Sequence, residues 1–445
     1  MRSSHCVLRH SEFPCLARPI RCDIVASLNE QHFILWDKRM SAVIKNDDRS
    51  IEELIASQKP GHSLDQRFYA DPDIYELEVE KIINRNWILA GHTSQLPERG
   101  DFKVLNVGLE SAIIVRGSDG NLKGFANVCR HRGSLVCLDQ HGHADKFQCP
   151  YHGWMYDIDG NLTAARNMAE GFDRSTHGLK SVSVGEIYGL MFVCFSDDPP
   201  SLEGAIADLK EPMGMYDFEN LKVAAQKSYE IPANWKLAVE NYQECYHCAT
   251  AHPEYALMHT MMLDDEKRER ASQHMYENMA ACGIKDFEID HVDSAARPGE
   301  IGFGFARTAM FSKFKTGSKD GQPVAPLLGS ITGYDGGQAD LSFGPFSFLL
   351  AYNDHVVCYV FTPVDHQNSN CEIYWLVRSD AEEGKDYHVD ELTWLWDVTT
   401  QSDKEIVVNN SKGVHSKYYE PGPFSGMEEM ERIYIEWILN ELQRP

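Results

Sequence analysis

Two short segments of this chain carry thiols and imidazoles close together. Cys129-Arg130-His131 and Cys149-Pro150-Tyr151-His152 give the spacing Cys-x-His, seventeen residues, then Cys-x2-His. Four soft or borderline ligands on two loops suit a tetrahedral zinc. They suit equally a [2Fe–2S] cluster in which one iron takes two thiolates and the other takes two imidazoles. Spacing alone leaves both open, beside the plainer reading of surface histidines next to buried cysteines. His141 and His143 lie between the pairs and are expected to be solvated loop residues. Cys137 is expected to be a small buried hydrophobe rather than a ligand.

A second set lies downstream. From Asn234-Trp235-Lys236 a helical pattern begins and continues through Val239 to His247. Positions 240, 244 and 247 are spaced i, i+4, i+7, which predicts Glu240, Glu244 and His247 on one helix face. His252 follows, and Pro253 biases it away from the α region, so its imidazole can turn back toward His247. Two histidines and one carboxylate form the usual donor set for an iron(II) that activates dioxygen. The carboxylate candidate is Asp403, in a helix expected from about Val389 to Lys412 and closed by Gly413. At about 100° per residue, Asp403 lines up with Leu392, Trp396 and Ile406, whereas Lys404 and Glu405 point away. A carboxylate on an apolar stripe needs neutralising, by a metal or by a buried Arg or Lys.

These residues must be positioned by regular elements. Asp71-Pro72 followed by Ile74, Leu77 and Ile82 supplies an N-cap, a proline at the first helical position and an apolar stripe, so a helix leads toward Trp87. From Trp87 to about residue 200 the pattern turns to short β runs such as Ala112-Ile113-Ile114-Val115, with hairpin signals at Asp119-Gly120 and Asp159-Gly160. Ser196-Asp197-Asp198-Pro199-Pro200 marks a linker. Beyond it, long helical patterns mix with strands from His355 to Val364 and Cys371 to Arg378, joined by polar residues 365–370. The fold class is α+β: residues 1–46 an unassigned extension, 47–86 helical, 87–200 a small antiparallel β domain, and 201–445 a domain of antiparallel sheet and long helices.

Composition narrows the partners. Lys+Arg 42 against Asp+Glu 67 gives a formal charge of −25, which repels phosphate backbones and anionic lipid, so neither nucleic acid nor membrane is an expected partner. No apolar run approaches the roughly 20 residues of a bilayer span. Twelve cysteines are too dilute for a disulfide scaffold, so reduced thiols and a cytoplasmic setting are expected. In the first 46 residues Glu12, Asp23, Glu30 and Asp37 argue against an organelle targeting peptide, the apolar core of a secretory signal is missing, and Met40 is an alternative start. Gly302 and Gly304 begin a G-x-G-x-x-G without its third glycine, so nicotinamide and flavin are expected to belong to another protein.

The flanks of the metal-type motifs carry a resemblance. Cys-Arg-His-Arg-Gly from Cys129 and Cys-Pro-Tyr-His-Gly-Trp-Met-Tyr-Asp from Cys149 resemble, nearly position by position, the two cluster-binding loops of Rieske proteins. With the downstream set, residues 60 to 440 resemble the oxygenase (alpha) subunit of a Rieske non-haem iron oxygenase. The resemblance implies a Rieske domain followed by a helix-grip catalytic domain. It implies Cys129, His131, Cys149 and His152 as [2Fe–2S] ligands, and His247, His252 and Asp403 as ligands of a mononuclear Fe(II). Residues 394–413 and the following Tyr419-Glu420-Pro421-Gly422-Pro423-Phe424-Ser425 are similar to the segment that contributes the acidic ligand. Most ring-hydroxylating members have aspartate at Glu244, where it links the cluster of one subunit to the iron of the next. Glutamate in Asn-Tyr-Gln-Glu-Cys-Tyr-His-Cys, with residues 375–377 and 380–387, resembles the quaternary-ammonium branch: stachydrine (proline betaine) demethylase, glycine betaine monooxygenase and carnitine monooxygenase.

That branch implies oxidation of an N-methyl group by O2, with release of formaldehyde and electrons from a separate NAD(P)H-dependent flavin or ferredoxin-type reductase. It also implies a head-to-tail homotrimer in which Glu244 bridges His247 and a neighbour's His152. A betaine pocket needs aromatic rings around the ammonium. Tyr242, Phe303, Phe305, Phe346, Phe348, Tyr352, Tyr359 and Trp375 are candidates, and each reads equally as a core aromatic. Two other functions fit the same motifs: an aromatic ring-hydroxylating dioxygenase alpha subunit, and a non-enzymatic ligand-binding protein with a zinc-stabilised domain.

Overall fold

The computed structural model describes residues 47–260, 262–292, 297–311 and 313–444. The chain divides into Met1–Asp48 and Arg49–Pro445. The expectations for residues 1–46, Met40 among them, lie outside the described residues.

Three short helices and a π-helical turn lie between Ile51 and Ile83. Ser50 caps the helix Ile51–Ser57 through a capping box with Glu53. Asp71 caps Pro72–Glu78 with Pro72 in its first turn, as the sequence predicts, and a short π-helical turn Val79–Ile83 delivers the chain to Trp87. Strand Ile88–His92 then pairs with Leu190–Cys194 and, through it, Ser183–Ile187.

Between these strands lies the small β domain. One sheet runs in the order Leu122–Ala126, Glu110–Arg116, Asp101–Val107, His141–His143, and a second in the order Lys146–Gln148, Met155–Asp157, Leu162–Ala164. Both Asp-Gly signals form the expected hairpins, Gly120 at φ +82° and Gly160 at φ +83°. A private core of Phe102, Ile113, Phe125, Phe147, Trp154 and Tyr156 holds the sheets together, with Cys129 and Cys149 among its buried members.

The C-terminal half is a seven-stranded antiparallel sheet, in the order Leu221–Ile231, Asn368–Arg378, Val356–Asp365, Ser347–Ala351, Gly337–Phe343, Phe303–Ala309, Ile289–His291. Val356 to Pro363 are buried without a break, as befits a central strand covered on both faces. The polar run 365–370 is shorter as a connection than the sequence suggests. Strand pairing extends to Asp365 opposite Asn368, and Asn368 Nδ2 donates to both Asp365 carboxylate oxygens at 2.9 Å, so only two residues turn.

Helix Trp235–Gln243, capped by Asn234, lies between the sheet and the 26-residue helix Val389–Val414. Gly413 stays inside that helix, which runs on to a cap at His415; with no left-handed φ at Gly413, glycine here does not act as the stop. The N-terminal helices are fastened to helix Trp235–Gln243 by a buried ion pair, Lys236 Nζ to Glu78 at 2.6 Å, both side chains 0% exposed. Trp235 Nε1 donates to the same carboxylate at 2.9 Å. No helix among the described residues is long and apolar enough to cross a membrane.

Candidate metal centres and their cavity

The two Cys/His loops of the β domain share one backbone geometry. The Cys129 carbonyl accepts from Gly133 N at 3.0 Å and the Cys149 carbonyl from Gly153 N at 3.0 Å. Cys129 N donates to Ser134 O and Cys149 N to Trp154 O, both at 2.8 Å. The glycine four residues after each cysteine sits at φ +74° and +72°, a region in which a side chain is strained. This repeated turn buries both cysteines at 3% and 1% exposure and aims both histidines at one point. His131 Nδ1 and His152 Nδ1 are 3.2 Å apart, with the His131 ring stacked on Trp154 at 4.9 Å. Tyr156 Oη lies 3.3 Å from Cys129 Sγ. Burial holds the Cys129 thiol above its ordinary range, against the Tyr156 bond, which favours the thiolate. His152 is exposed, and lost water contact together with His131 and Arg132 keeps its imidazole below the ordinary range. Two thiols and two imidazole nitrogens converging from twin loops fit a cluster held half by sulfur and half by nitrogen.

His141 and His143 form a short exposed strand, and His143 pairs with Asp101 at 2.8 Å. Cys137 is half-buried, its Sγ 3.5 Å from the Asp139 carbonyl. Neither contributes to the convergence.

In the C-terminal half, His247 Nε2 and His252 Nε2 both face Asp403 Oδ1, at 3.3 Å and 3.0 Å, and the two rings stand edge to face with centroids 5.2 Å apart. His252 takes φ −142°, ψ 75° before Pro253, the departure from helix that turns its ring back. Glu244 Oε1 accepts from His247 Nδ1 at 2.5 Å. Burial opposes the charged form of His247, but Asp403 and Glu244 together outweigh it and push its pKa up to about 9. The same contacts pull Asp403 below its ordinary value although burial acts the other way. Two imidazoles and a carboxylate converging on one point fit a non-haem iron.

Helix Trp235–Gln243 ends before Glu244, which is extended at φ −125°, ψ 159°, so Glu240, Glu244 and His247 do not share a helix face. Glu240 turns away from the metal point; both its carboxylate oxygens accept from Tyr69 Oη at 3.0 Å, and burial lifts its pKa to about 7. The break arises in the Glu244-Cys245-Tyr246-His247 turn, where Glu244 caps Tyr246 N and His247 N. Cys245 and Cys248 are joined by a disulfide, contrary to the expectation of reduced thiols throughout.

A cavity of about 550 Å³ opens between the sheet, Tyr242 and the C-terminal helix Glu429–Gln443. Of the aromatic candidates, Tyr242, Phe305 and Phe348 line it, and Tyr242 also borders a small void with Tyr359, Asn241 and Asp403. Phe303, Phe346, Tyr352 and Trp375 are core residues, each 0% exposed. Sequence reasoning missed the lining residues Asp340, Tyr434 and Trp437. The alternation of Gln338, Asp340 and Ser342 with buried Ala339 and Leu341 was the available signal.

The family model for the ring hydroxylating alpha subunit (catalytic domain) matches residues 218–443, and that for the Rieske [2Fe-2S] domain matches residues 86–183. The chain is a Rieske non-haem iron oxygenase subunit. The Rieske match decides between cluster and zinc, and the cofactors are accordingly a [2Fe–2S] cluster and a mononuclear iron supplied with electrons by a reductase partner. The glycine betaine monooxygenase oxygenase subunit of Pseudomonas aeruginosa is 34% identical over 402 residues, 88% of this chain and 93% of the relative. The carnitine monooxygenase oxygenase subunit of Escherichia coli is 29% identical over 376 residues, 83% and 88% of the two chains. A solved quaternary ammonium Rieske monooxygenase shares the fold, with TM-score 0.68 and 22% identity over 89% of this chain and 99% of the other.

Proposed function

We propose that this Rieske oxygenase subunit is a monooxygenase that removes an N-methyl group from a betaine-like quaternary ammonium compound. The 34% identity to a glycine betaine monooxygenase subunit over 88% of the chain carries the reading, and an aromatic cavity that includes a carboxylate supports it. In the overall reaction O2, two electrons and two protons convert one N–CH3 to N–CH2OH and release water. The carbinolamine then loses a proton and breaks its C–N bond, leaving formaldehyde and a tertiary amine. The electrons come from NAD(P)H through a separate flavin or ferredoxin reductase.

Cys129, His131, Cys149 and His152 would hold the cluster, and His247, His252 and Asp403 the iron. Bound there, these groups supply one-electron storage and dioxygen activation. Glu244 fixes the His247 ring by accepting from Nδ1, which leaves Nε2 directed to the metal point. Tyr156 donates toward Cys129 Sγ and so favours its thiolate. The Tyr242 and Phe348 rings, stacked at 4.7 Å, exclude water from the wall on which an N-methyl group rests.

The reading extends to assembly. His152 Nε2 has no hydrogen-bond partner among the described residues, whereas its Nδ1 faces His131. A head-to-tail homotrimer in which Glu244 meets His152 of a neighbouring copy would use that nitrogen and close as a ring. The domain division 47–86, 87–200 and 201–445 and a cytoplasmic setting belong to the same proposal.

Formaldehyde release is the test. The holoenzyme is supplied with NAD(P)H, a surrogate reductase and, in turn, glycine betaine, proline betaine and carnitine. Stoichiometric formaldehyde with at least one of them is the expected result. Turnover of biphenyl or naphthalene to a diol with none of the ammonium compounds oxidised would replace this reading by ring hydroxylation.

A further inference from the structure

Of the five carboxylates that line the 550 Å³ cavity, Glu288, Asp290 and Glu436 are exposed and Glu441 pairs with Arg444, whereas Asp340 is neither exposed nor ion-paired among the described residues, and the metal centres do not use it. Asp340 lies mid-strand in Gly337–Phe343, on the same face as Gln338 and Ser342 by β alternation. Thr308 Oγ1 donates to its Oδ2 at 2.6 Å and Gln338 Nε2 to its Oδ1 at 3.2 Å. Both donors are neutral. Asp340 makes no salt bridge among the described residues; Arg307, one strand away, is engaged by Asp335 at 2.6 Å and by Tyr216. Burial lifts the Asp340 pKa to about 6, so the group is still ionised at neutral pH.

A half-buried carboxylate with no cation in contact, and only the more distant charge of Arg307 acting on it, is incompletely compensated, which leaves room for a bound cation. The cavity walls explain which cation would complete it. Ser342 pairs across the sheet with Phe348, whose ring stacks on Tyr242, and Phe305, Tyr434 and Trp437 add further aromatic surface. The one basic side chain lining the cavity, Arg444, pairs with Glu441 at 2.9 Å. Rings and a carboxylate together favour a cation with a methylated, non-donating shell, because cation–π attraction and charge pairing both strengthen away from water. Tyr255 connects this charge to the metal point: Asp340 and Asp403 both act on its hydroxyl, and its ring lies 5.3 Å from that of His252.

Building on the N-demethylase reading above, we propose that Asp340 is the specificity-determining ammonium anchor, holding the quaternary nitrogen in the aromatic cavity so that an N-methyl group faces His247, His252 and Asp403. A betaine's own carboxylate is then repelled by Asp340 and must point away from it.

Binding to the anaerobic holoenzyme, measured by calorimetry, tests this without turnover. The probes are glycine betaine and 3,3-dimethylbutanoate, the same shape with carbon in place of the charged nitrogen. The wild type is expected to prefer the betaine by about tenfold or more, and Asp340→Asn to erase that preference while cluster absorption and iron content stay unchanged. Asp340→Ser, which still offers Thr308 a hydrogen-bond partner, is the second variant and should behave alike. If wild type binds betaine no better than its carbon isostere, or if both folded variants keep the preference, Asp340 is not the anchor. Formaldehyde release by the wild type with Asp340 playing no part would leave the demethylase reading standing and remove this one. Absence of both formaldehyde and ammonium binding in the wild type would remove the demethylase reading itself.

Discussion

His247 is held from both sides of its ring: Nδ1 donates to Glu244 Oε1 at 2.5 Å while Nε2 lies 3.3 Å from Asp403 Oδ1. The first contact fixes the orientation of the second. Glu244→Gln keeps the size and loses the charge, so iron and cluster should both load, while turnover falls about 10- to 100-fold, the usual effect of removing a ligand's supporting carboxylate. Iron analysis beside steady-state NAD(P)H consumption separates this from simple loss of metal. An unchanged rate would mean that Glu244 does nothing beyond capping its own turn.

Removing a donor from the convergent set should do the opposite. His252 is 2% exposed and its Nε2 is 3.0 Å from Asp403, so alanine at His252 or Asp403 leaves two donors where a stable site needs three. The expected result is loss of about one iron per chain, with the visible spectrum of the cluster intact. Full iron content in both variants would place the mononuclear metal elsewhere.

The contrast between the two centres shows what a sequence can and cannot disclose. The Cys/His loops were legible because both ligands of each loop lie within four residues and the turn is local, closed by Gly133 and Gly153. Asp403 was reachable through helical periodicity, since a 26-residue helix keeps its phase. The same periodicity misled at Glu240, because the helix ends at Gln243 where the Glu244 side chain caps Tyr246 N and His247 N. Asp340 was invisible for another reason. Its meaning depends on Tyr242, Phe348 and Trp437, brought to one cavity from three distant segments, and on Arg307 being engaged elsewhere.

Metal uptake should depend on pH through His247. Its pKa is raised from 6.5 to about 9, so its proton stabilises the metal-free fold fully below pH 6.5, and that contribution disappears as pH rises through about 9. A metal must displace this proton. The thermal stabilisation gained on adding Fe(II) anaerobically should therefore grow between pH 6.5 and 9, with proton release on binding in weakly buffered solution. A gain independent of pH would show that His247 does not take up the metal.

The cluster should respond to a single hydroxyl. Tyr156 Oη, 3.3 Å from Cys129 Sγ, stabilises the more negative reduced state, and hydrogen bonds to cluster sulfurs raise reduction potentials. Tyr156→Phe keeps the ring in its buried seat and should lower the potential by on the order of tens of millivolts, read by spectroelectrochemistry. Cys149→Ser should instead abolish the visible absorption and the reduced EPR signal altogether.

Pairing variants tests the proposed ring of subunits. His152 is exposed with Nδ1 turned to His131, and among the described residues Glu244 bonds only within its own turn, to Tyr246 and His247. If Glu244 meets a neighbour's His152, each active route needs the cluster of one chain and the glutamate of the next. Glu244→Gln chains keep a competent cluster but lack the bridging charge; His152→Cys chains lack a competent cluster but keep Glu244. Each variant alone should be nearly inactive. Co-expressed with different tags and purified as hybrids, they should recover part of the wild-type rate, because some interfaces join an intact cluster loop to an intact Glu244. Activity in hybrids no higher than in the separate variants, or full activity in a protein that sedimentation shows to be monomeric, would place both groups of each working route in one chain.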